Sequence, residues 1–352
     1  MNSQMLKLIG IFLLLAGFAS AGVAETRYTV ADLGALPGDY EATPWGINAH
    51  GDVVGSSAGP KGQRAFLFVE RVGMLELPTM ARGGSSVARD INDLGVVVGQ
   101  SNSRAAVWDL SGNLTRDVGP KFLGSFDSTS EAMAVNNLGE IAGWMAGDTV
   151  RGARHAFVYA IDRGMIDITA FGFGEANDIN DAGLVVGAQN GRAFLWNNGS
   201  IKFPDLLPGF GLSAAYGINE FLDFVGSMTN KSLTSQHSFK LSAAFGPEDL
   251  GGYGDRNMLR RINNKGQSVG QGRLADNVLQ ALIHSDSDGL QALNDLIAAP
   301  SEWFVDFATD INDYGVIVAT AWNGRSRTRH AVKLIPAPAE YCLQGCARSD
   351  EN

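Results

Sequence analysis

Ala88-Arg89-Asp90-Ile91-Asn92-Asp93-Leu94-Gly95-Val96-Val97-Val98-Gly99 decides the fold, because its centre recurs along almost the whole chain. An Ile-Asn or Val-Asn pair places asparagine at Asn48, Asn92, Asn136, Asn180, Asn219, Asn263 and Asn312, with intervals of 44, 44, 44, 39, 44 and 49 residues. A period in that range marks a repeat architecture.

Glycine stands three residues after each asparagine, at Gly51, Gly95, Gly139, Gly183, Gly266 and Gly315, with Leu222 the exception. Another stands seven after it, at Gly55, Gly99, Gly143, Gly187, Gly226 and Gly270, with Ala319 the exception. The asparagine side chain suits a turn cap, and the first glycine supplies the positive φ that starts a return strand. Asn-x-x-Gly therefore predicts a hairpin connection.

A second signature follows in each unit, as in Arg64-Ala65-Phe66-Leu67-Phe68, His155-Ala156-Phe157-Val158-Tyr159 and Arg192-Ala193-Phe194-Leu195-Trp196. Its third and fifth positions share one strand face and are expected to pack between blades. A last run ends near Asp-Leu, as in Met165-Ile166-Asp167-Ile168 and Glu248-Asp249-Leu250. Four extended stretches per unit match a propeller blade. The seventh unit lacks its last run, whereas Tyr28-Thr29-Val30-Ala31-Asp32-Leu33-Gly34 supplies one at the other end. A solenoid would want distinct polar caps at both ends instead of complementary halves of one unit.

The expected fold is all-β: a seven-bladed β-propeller of four-stranded blades over residues 27–336, its ring closed by the N-terminal strand. Residues 1–21 read as a signal peptide, with Lys7, the apolar run Leu8 to Ala19 and a small-residue cleavage site. Residues 337–352 read as a C-terminal tail. The repeat core and the intact His155-Ala156-Phe157 resemble the bacterial HAF-repeat extracellular proteins over residues 28–335. That resemblance implies an exported repeat protein and brings no functional residue with it.

The chain has 44 glycines and a net charge of −10, and loss of the leader with Lys7 makes it more acidic. No basic nucleic-acid footprint is present. The leader's apolar run is too short to span a bilayer, and no later segment approaches the needed length. No cysteine follows the cleavage site to carry a lipid. The protein is expected to be secreted or periplasmic and monomeric, with no cofactor and no metal. Cys342 and Cys346 are candidates for a local disulfide, with free thiols or an intermolecular link as alternatives.

Motifs for chemistry are weak. Gly55-Ser56-Ser57-Ala58-Gly59 matches a nucleophile elbow in letters, but Gly55 is the repeat glycine and no helix follows. Asp286-Ser287-Asp288-Gly289 lacks the remaining ligands of a calcium loop and reads as a polar turn. His155, His237 and His330 share one slot in three units and are expected to satisfy local backbone at strand ends; His284 reads as a packed histidine. Asp90, Asp178 and Asp310 precede Ile-Asn on the strand nearest the axis, where acid and base chemistry is conceivable.

Loop lengths point to one face. The Asn-x-x-Gly turns are uniform, whereas the connections between second and third strands vary in length, and function tends to sit on variable loops. On that face the candidate ligand-binding residues are Trp144, Arg151, Tyr253, Arg256, Trp303, Trp322 and Arg325. The reading is a non-catalytic binding scaffold for an envelope or extracellular protein or glycan. The alternatives are a polysaccharide hydrolase or lyase, which needs two converged carboxylates with displaced titrations, and a structural surface protein.

Overall fold

A computed structural model describes residues 26–337 except 82, 114–118, 124–128, 148–152, 170–171, 206, 244, 252–253, 255, 274–277 and 299–300. The signal peptide, both cysteines and all but the first residue of the tail lie outside the described residues. Within them the regular elements are all strands, apart from one 3-10 turn at Leu293–Leu296.

Four-stranded antiparallel sheets repeat. One contains Ser86–Ile91, Val96–Ser101, Arg104–Asp109 and Lys121–Phe122; the next two run from Ser130–Val135 to Gly164–Asp167 and from Gly174–Ile179 to Ser200–Lys202. The remaining strands form two larger sheets, in which adjacent units touch through a single parallel pair, Glu41 with Arg329 and Gln236 with Arg256. Alternating side chains give each sheet two apolar faces, and the cores lie between neighbouring units. Val54 and Leu67 of the first unit, for example, pack with Ala88, Val97 and Trp108 of the second.

The asparagines do more than cap. Each side-chain oxygen accepts backbone N–H groups of its own turn; Asn92 Oδ1 takes those of Leu94 at 3.1 Å and Val96 at 2.9 Å. Each side-chain nitrogen donates to the backbone carbonyl of the next unit's asparagine, at 3.4, 2.9, 3.0, 3.1, 3.2 and 3.0 Å from Asn48 onward. Asn312 then donates to the Asn48 carbonyl at 3.1 Å. The following residue adds a second line of links: Asp93 accepts from the Ala49 N–H, Asn137 from Asp93, Asp181 from Asn137, and Asp313 from Asn264. Ala49 has no side-chain acceptor to continue it.

Leu222 keeps the turn that glycine makes elsewhere, at φ 67° against 73° to 84° for its glycine counterparts. A γ-branched residue is strained there, and Leu222 is partly exposed, so its side chain gains little from burial. Leu222→Gly is therefore expected to stabilise the protein by about 1 kcal/mol, read as a raised melting temperature. An unchanged or lower value would show that this turn is unstrained.

The second glycine has a different cause. A Cβ on Gly55, Gly143, Gly187 or Gly226 would stand 2.0 to 2.2 Å from a backbone oxygen of the first strand and 2.7 to 2.9 Å from the cross-strand phenylalanine ring. The ring needs the space that glycine leaves. In the seventh unit Ala319 faces Val332, and the partner strand carries an extra register shift between Val305 and Phe307. A smaller cross-strand neighbour and a bulge there accommodate the methyl group.

At the chain ends, Tyr28–Gly34 pairs antiparallel with Arg329–Pro336, from Tyr28 against Pro336 to Gly34 against Ala331. The His-Ala-Phe histidines explain why this strand fits. His155 and His237 meet Asp167 and Asp249 on the fourth strand of their own units, at 2.7 and 3.0 Å, and His330 meets Asp32 at 3.0 Å. These histidines pair with carboxylates, which corrects the backbone role expected from sequence. Arg64 makes the corresponding contact with Glu76. His284 is buried as expected, and burial holds its pKa below the ordinary value.

Candidate functional site

A cavity of ≈ 220 Å³ on the Asn-turn side is lined by the turn residues and, deeper, by Asp90, Asp178, Arg261 and Asp310. These four occupy one slot of the repeat, whose other members are Gly46, Ala134 and Gly217. Each aspartate takes the N–H of its own following residue and that of the next unit. Asp90 bonds Ile91 and Val135, both at 2.9 Å; Asp178 bonds Ile179 at 3.0 Å and Ile218 at 2.9 Å; Asp310 bonds Ile311 at 2.8 Å and Ile47 at 2.9 Å.

Large and small side chains thus alternate over most of the slots, because each aspartate crosses the next unit's slot, whereas Arg261 reaches back to the Tyr216 carbonyl at 2.9 Å. A Cβ on Gly46 would meet Asp90 Cα at 2.9 Å, and one on Gly217 would meet Arg261 Cα at 2.8 Å. The alternation fails at one pair of neighbouring units, where two large side chains meet. That pair is Arg261 and Asp310, of opposite charge, 3.8 Å apart, with Asp178 at 3.6 Å from the same guanidinium.

Burial raises the pKa of Asp90 to about 7 and of Asp310 to about 6, with Arg261 opposing the rise. Burial raises Asp178 as well, against the same arginine. Burial pulls Arg261 down, but the three carboxylates outweigh it and hold its pKa above the ordinary value. A carboxyl whose folded pKa lies above its unfolded value binds protons more readily when folded, so its contribution is full below the unfolded value and lost as pH rises through the folded one. Between about pH 4 and pH 7, Asp90 should therefore make the protein less stable as pH rises. Asp90→Asn is expected to flatten that part of the melting-temperature profile. An equal slope in the variant would assign the dependence to other groups.

A cluster on the inner strands, away from the Asn turns, is built differently. Trp45 lies between two arginines, with the Arg89 guanidinium 4.5 Å and that of Arg260 5.1 Å from its ring centre. Phe307 closes the cluster edge-on to Trp45 at 6.1 Å and 5.9 Å from Arg260. Arg89 is paired with Glu131 at 2.6 Å. Among the described residues Arg260 has no carboxylate and no hydrogen-bond acceptor, and burial beside Arg261 and Arg89 lowers its pKa to about 10. Nearer the rim, a cavity of ≈ 200 Å³ is lined by Gln236, Arg256, Asn257, Met258, Gln271, Arg273 and Leu279, with no acidic side chain among the described residues that line it. Asn257 is 1% exposed, and neither of its amide atoms has a hydrogen-bond partner.

The residues singled out from sequence separate in space. Arg256 lines the rim cavity. Trp322 is exposed and stands cross-strand from Phe304, which is exposed as well. Trp303, one position along, tucks against the core and the His330 ring at 5.3 Å. Trp144 is buried under the Arg154 guanidinium at 3.9 Å. Arg325 is exposed and paired with Glu302 at 2.6 Å. Arg151 and Tyr253 lie outside the described residues.

Sequence reasoning missed Trp45, Arg260 and Asn257. A signal was available in the slot three before each asparagine, which holds Trp45, Arg89, Met133, Asn177, Tyr216, Arg260 and Thr309 and does not repeat. No group of three or more His, Cys, Asp or Glu side chains placed to hold a metal ion occurs among the described residues. No helix among them is long and apolar enough to cross a membrane.

No protein-family model and no curated protein matches the sequence. Solved structures do match in shape. A streptogramin B lyase aligns with a TM-score of 0.58 at 11% identity, over 88% of this chain and 98% of that one. A virginiamycin B lyase from Staphylococcus aureus aligns at 0.57 and 10% identity, over 88% of this chain and all of the other. At such identity the likeness is one of fold: this chain has a propeller-like all-β architecture of repeated four-stranded sheets.

Proposed function

We propose that the protein is an exported, monomeric binding scaffold without catalytic activity. In this reading it is a seven-bladed propeller of the HAF-repeat kind, closed by its N-terminal strand and released to the periplasm or the exterior. The return of the asparagine links from Asn312 to Asn48, and the Asp32 to His330 pair, support closure. The face opposite the Asn turns engages an envelope or extracellular glycan or protein. The observation that carries this is the pair Phe304 and Trp322, 38% and 47% exposed, on that face. Aromatic side chains left in solvent on a rigid sheet are suited to stacking on a sugar or anchoring a partner.

The hydrolase or lyase alternative draws support from the raised pKa values of the axial aspartates. Against it, both oxygens of each of these carboxylates already accept backbone N–H groups, so they stitch units together instead of facing a substrate. The test is capture from envelope extract, with a glycan array, using the mature protein and Trp322→Ser. Binding should fall about 30-fold or more in the variant, as for a central aromatic anchor, at unchanged melting temperature. Trp303 is left intact because it belongs to the core. Normal binding by the variant would place the functional surface elsewhere.

A further inference from the structure

The inner strand Arg256–Ile262 presents Arg256, Met258 and Arg260 in alternation, from the rim cavity to the axial aromatic cluster. The protein carries a net charge of −10, yet its acids on neighbouring inner strands are spent: Glu131 on Arg89, Glu175 on Arg154, Glu41 and Asp306 on Arg329. Among the described residues, Arg256 and Arg260 have neither an ion pair nor a side-chain hydrogen bond. A guanidinium offers five N–H donors, and half-burying that of Arg260 without an acceptor is costly unless an anion completes the site, while Arg256 is exposed and available to the same ligand. Asn257, buried in the wall of the rim cavity, adds an amide whose donor and acceptor are both unused.

We propose that this track binds an acidic oligosaccharide, one sugar carboxylate at Arg256 and a later one at Arg260. The proposal rests on the binding reading above and names its ligand class. Four strand steps, the last at the bulge between Leu259 and Arg261, separate the two arginines by at most about 13 Å, which calls for a ligand with carboxylates on separate residues of a short chain. The side-chain amides of Gln236, Asn257 and Gln271 both donate and accept, as sugar hydroxyls require. The paired guanidiniums favour carboxylates through charge-assisted bonds.

The mature protein should be titrated calorimetrically with tetragalacturonate, its neutral methyl ester and a tetra-aspartate peptide. Tetragalacturonate is expected to bind, more weakly as salt rises, with the ester about ten-fold weaker or worse. Arg256→Gln and Arg260→Gln should each weaken it about ten-fold; Arg256→Gln should leave the melting temperature unchanged, whereas Arg260→Gln, which also gives up its stacking on Trp45 and Phe307, should lower it only slightly. Asn257→Ser should also weaken binding at unchanged stability. Equal affinity for acid and ester, indifference to both arginine substitutions, or tighter binding of the peptide would each overturn the proposal. If tetragalacturonate fails while extract still yields a Trp322-dependent partner, the acidic-sugar assignment falls and the binding reading stands. If both fail, both fall.

Discussion

Removing residues 27–34 is expected to lower the melting temperature of the whole protein by about 10 °C or more, not merely to fray one end. Tyr28 is 1% exposed and Leu33 is buried, and their loss alone corresponds to about 5 kcal/mol of apolar burial. The deletion also strips the Arg329–Pro336 strand of its pairing from Ala331 to Pro336 and leaves Asp32's partner, His330, without its carboxylate. Leu334 and Val332, fully buried in the intact protein, would then border an open sheet edge, a template for aggregation. Circular dichroism melts of residues 22–352 with and without residues 27–34 check the result, and a synthetic peptide of residues 26–37 added in excess should restore part of the loss. A truncated protein that melts like the intact one would rule out closure by this strand.

Gly187→Ala is expected to cost about 3 kcal/mol, far more than an ordinary glycine substitution, because nothing around it can give way. The added methyl would stand 2.0 Å from the Glu175 backbone oxygen and 2.9 Å from two carbons of the Phe194 ring. Glu175 is held in its strand by pairing with Ala188, and Phe194 is fully buried. Relief would need a shift of the first strand against the second, as the extra bulge near Val305 provides in the seventh unit. Gly119→Ala is the control, since nothing lies within 4 Å of its Cβ position. A Gly187 variant that melts with the control would show that the first strand yields easily.

What the sequence determines by itself is whatever repeats. Strand number per unit, the turn at each Asn-x-x-Gly, and the missing last strand with its counterpart at the other terminus all follow from a pattern copied seven times. Local chemistry suffices there, because a hairpin forms from residues adjacent in the chain. Even Leu222, which breaks the glycine rule, keeps the turn, since the surrounding pairing over-determines it.

The tertiary structure decides whatever lies between units. Asn92 reads as a cap, and only the packed arrangement shows its amide reaching the Asn136 carbonyl, 44 residues away. The second glycine of a unit looks like the first, but its cause is the backbone oxygen of the first strand, joined at Gly55, Gly143, Gly187 and Gly226 by a phenylalanine ring, and not its φ. Exposure follows the same logic. Trp144 and Trp322 both lie on the second strand of their units, yet Arg154 and the sheet cover one while the other stands in solvent. The meeting of Trp45 with Arg260 depends on where two distant inner strands bring their side chains around the axis. Periodicity fixes each strand's own faces; the offset between neighbouring sheets, set by packing, fixes which of those faces meet.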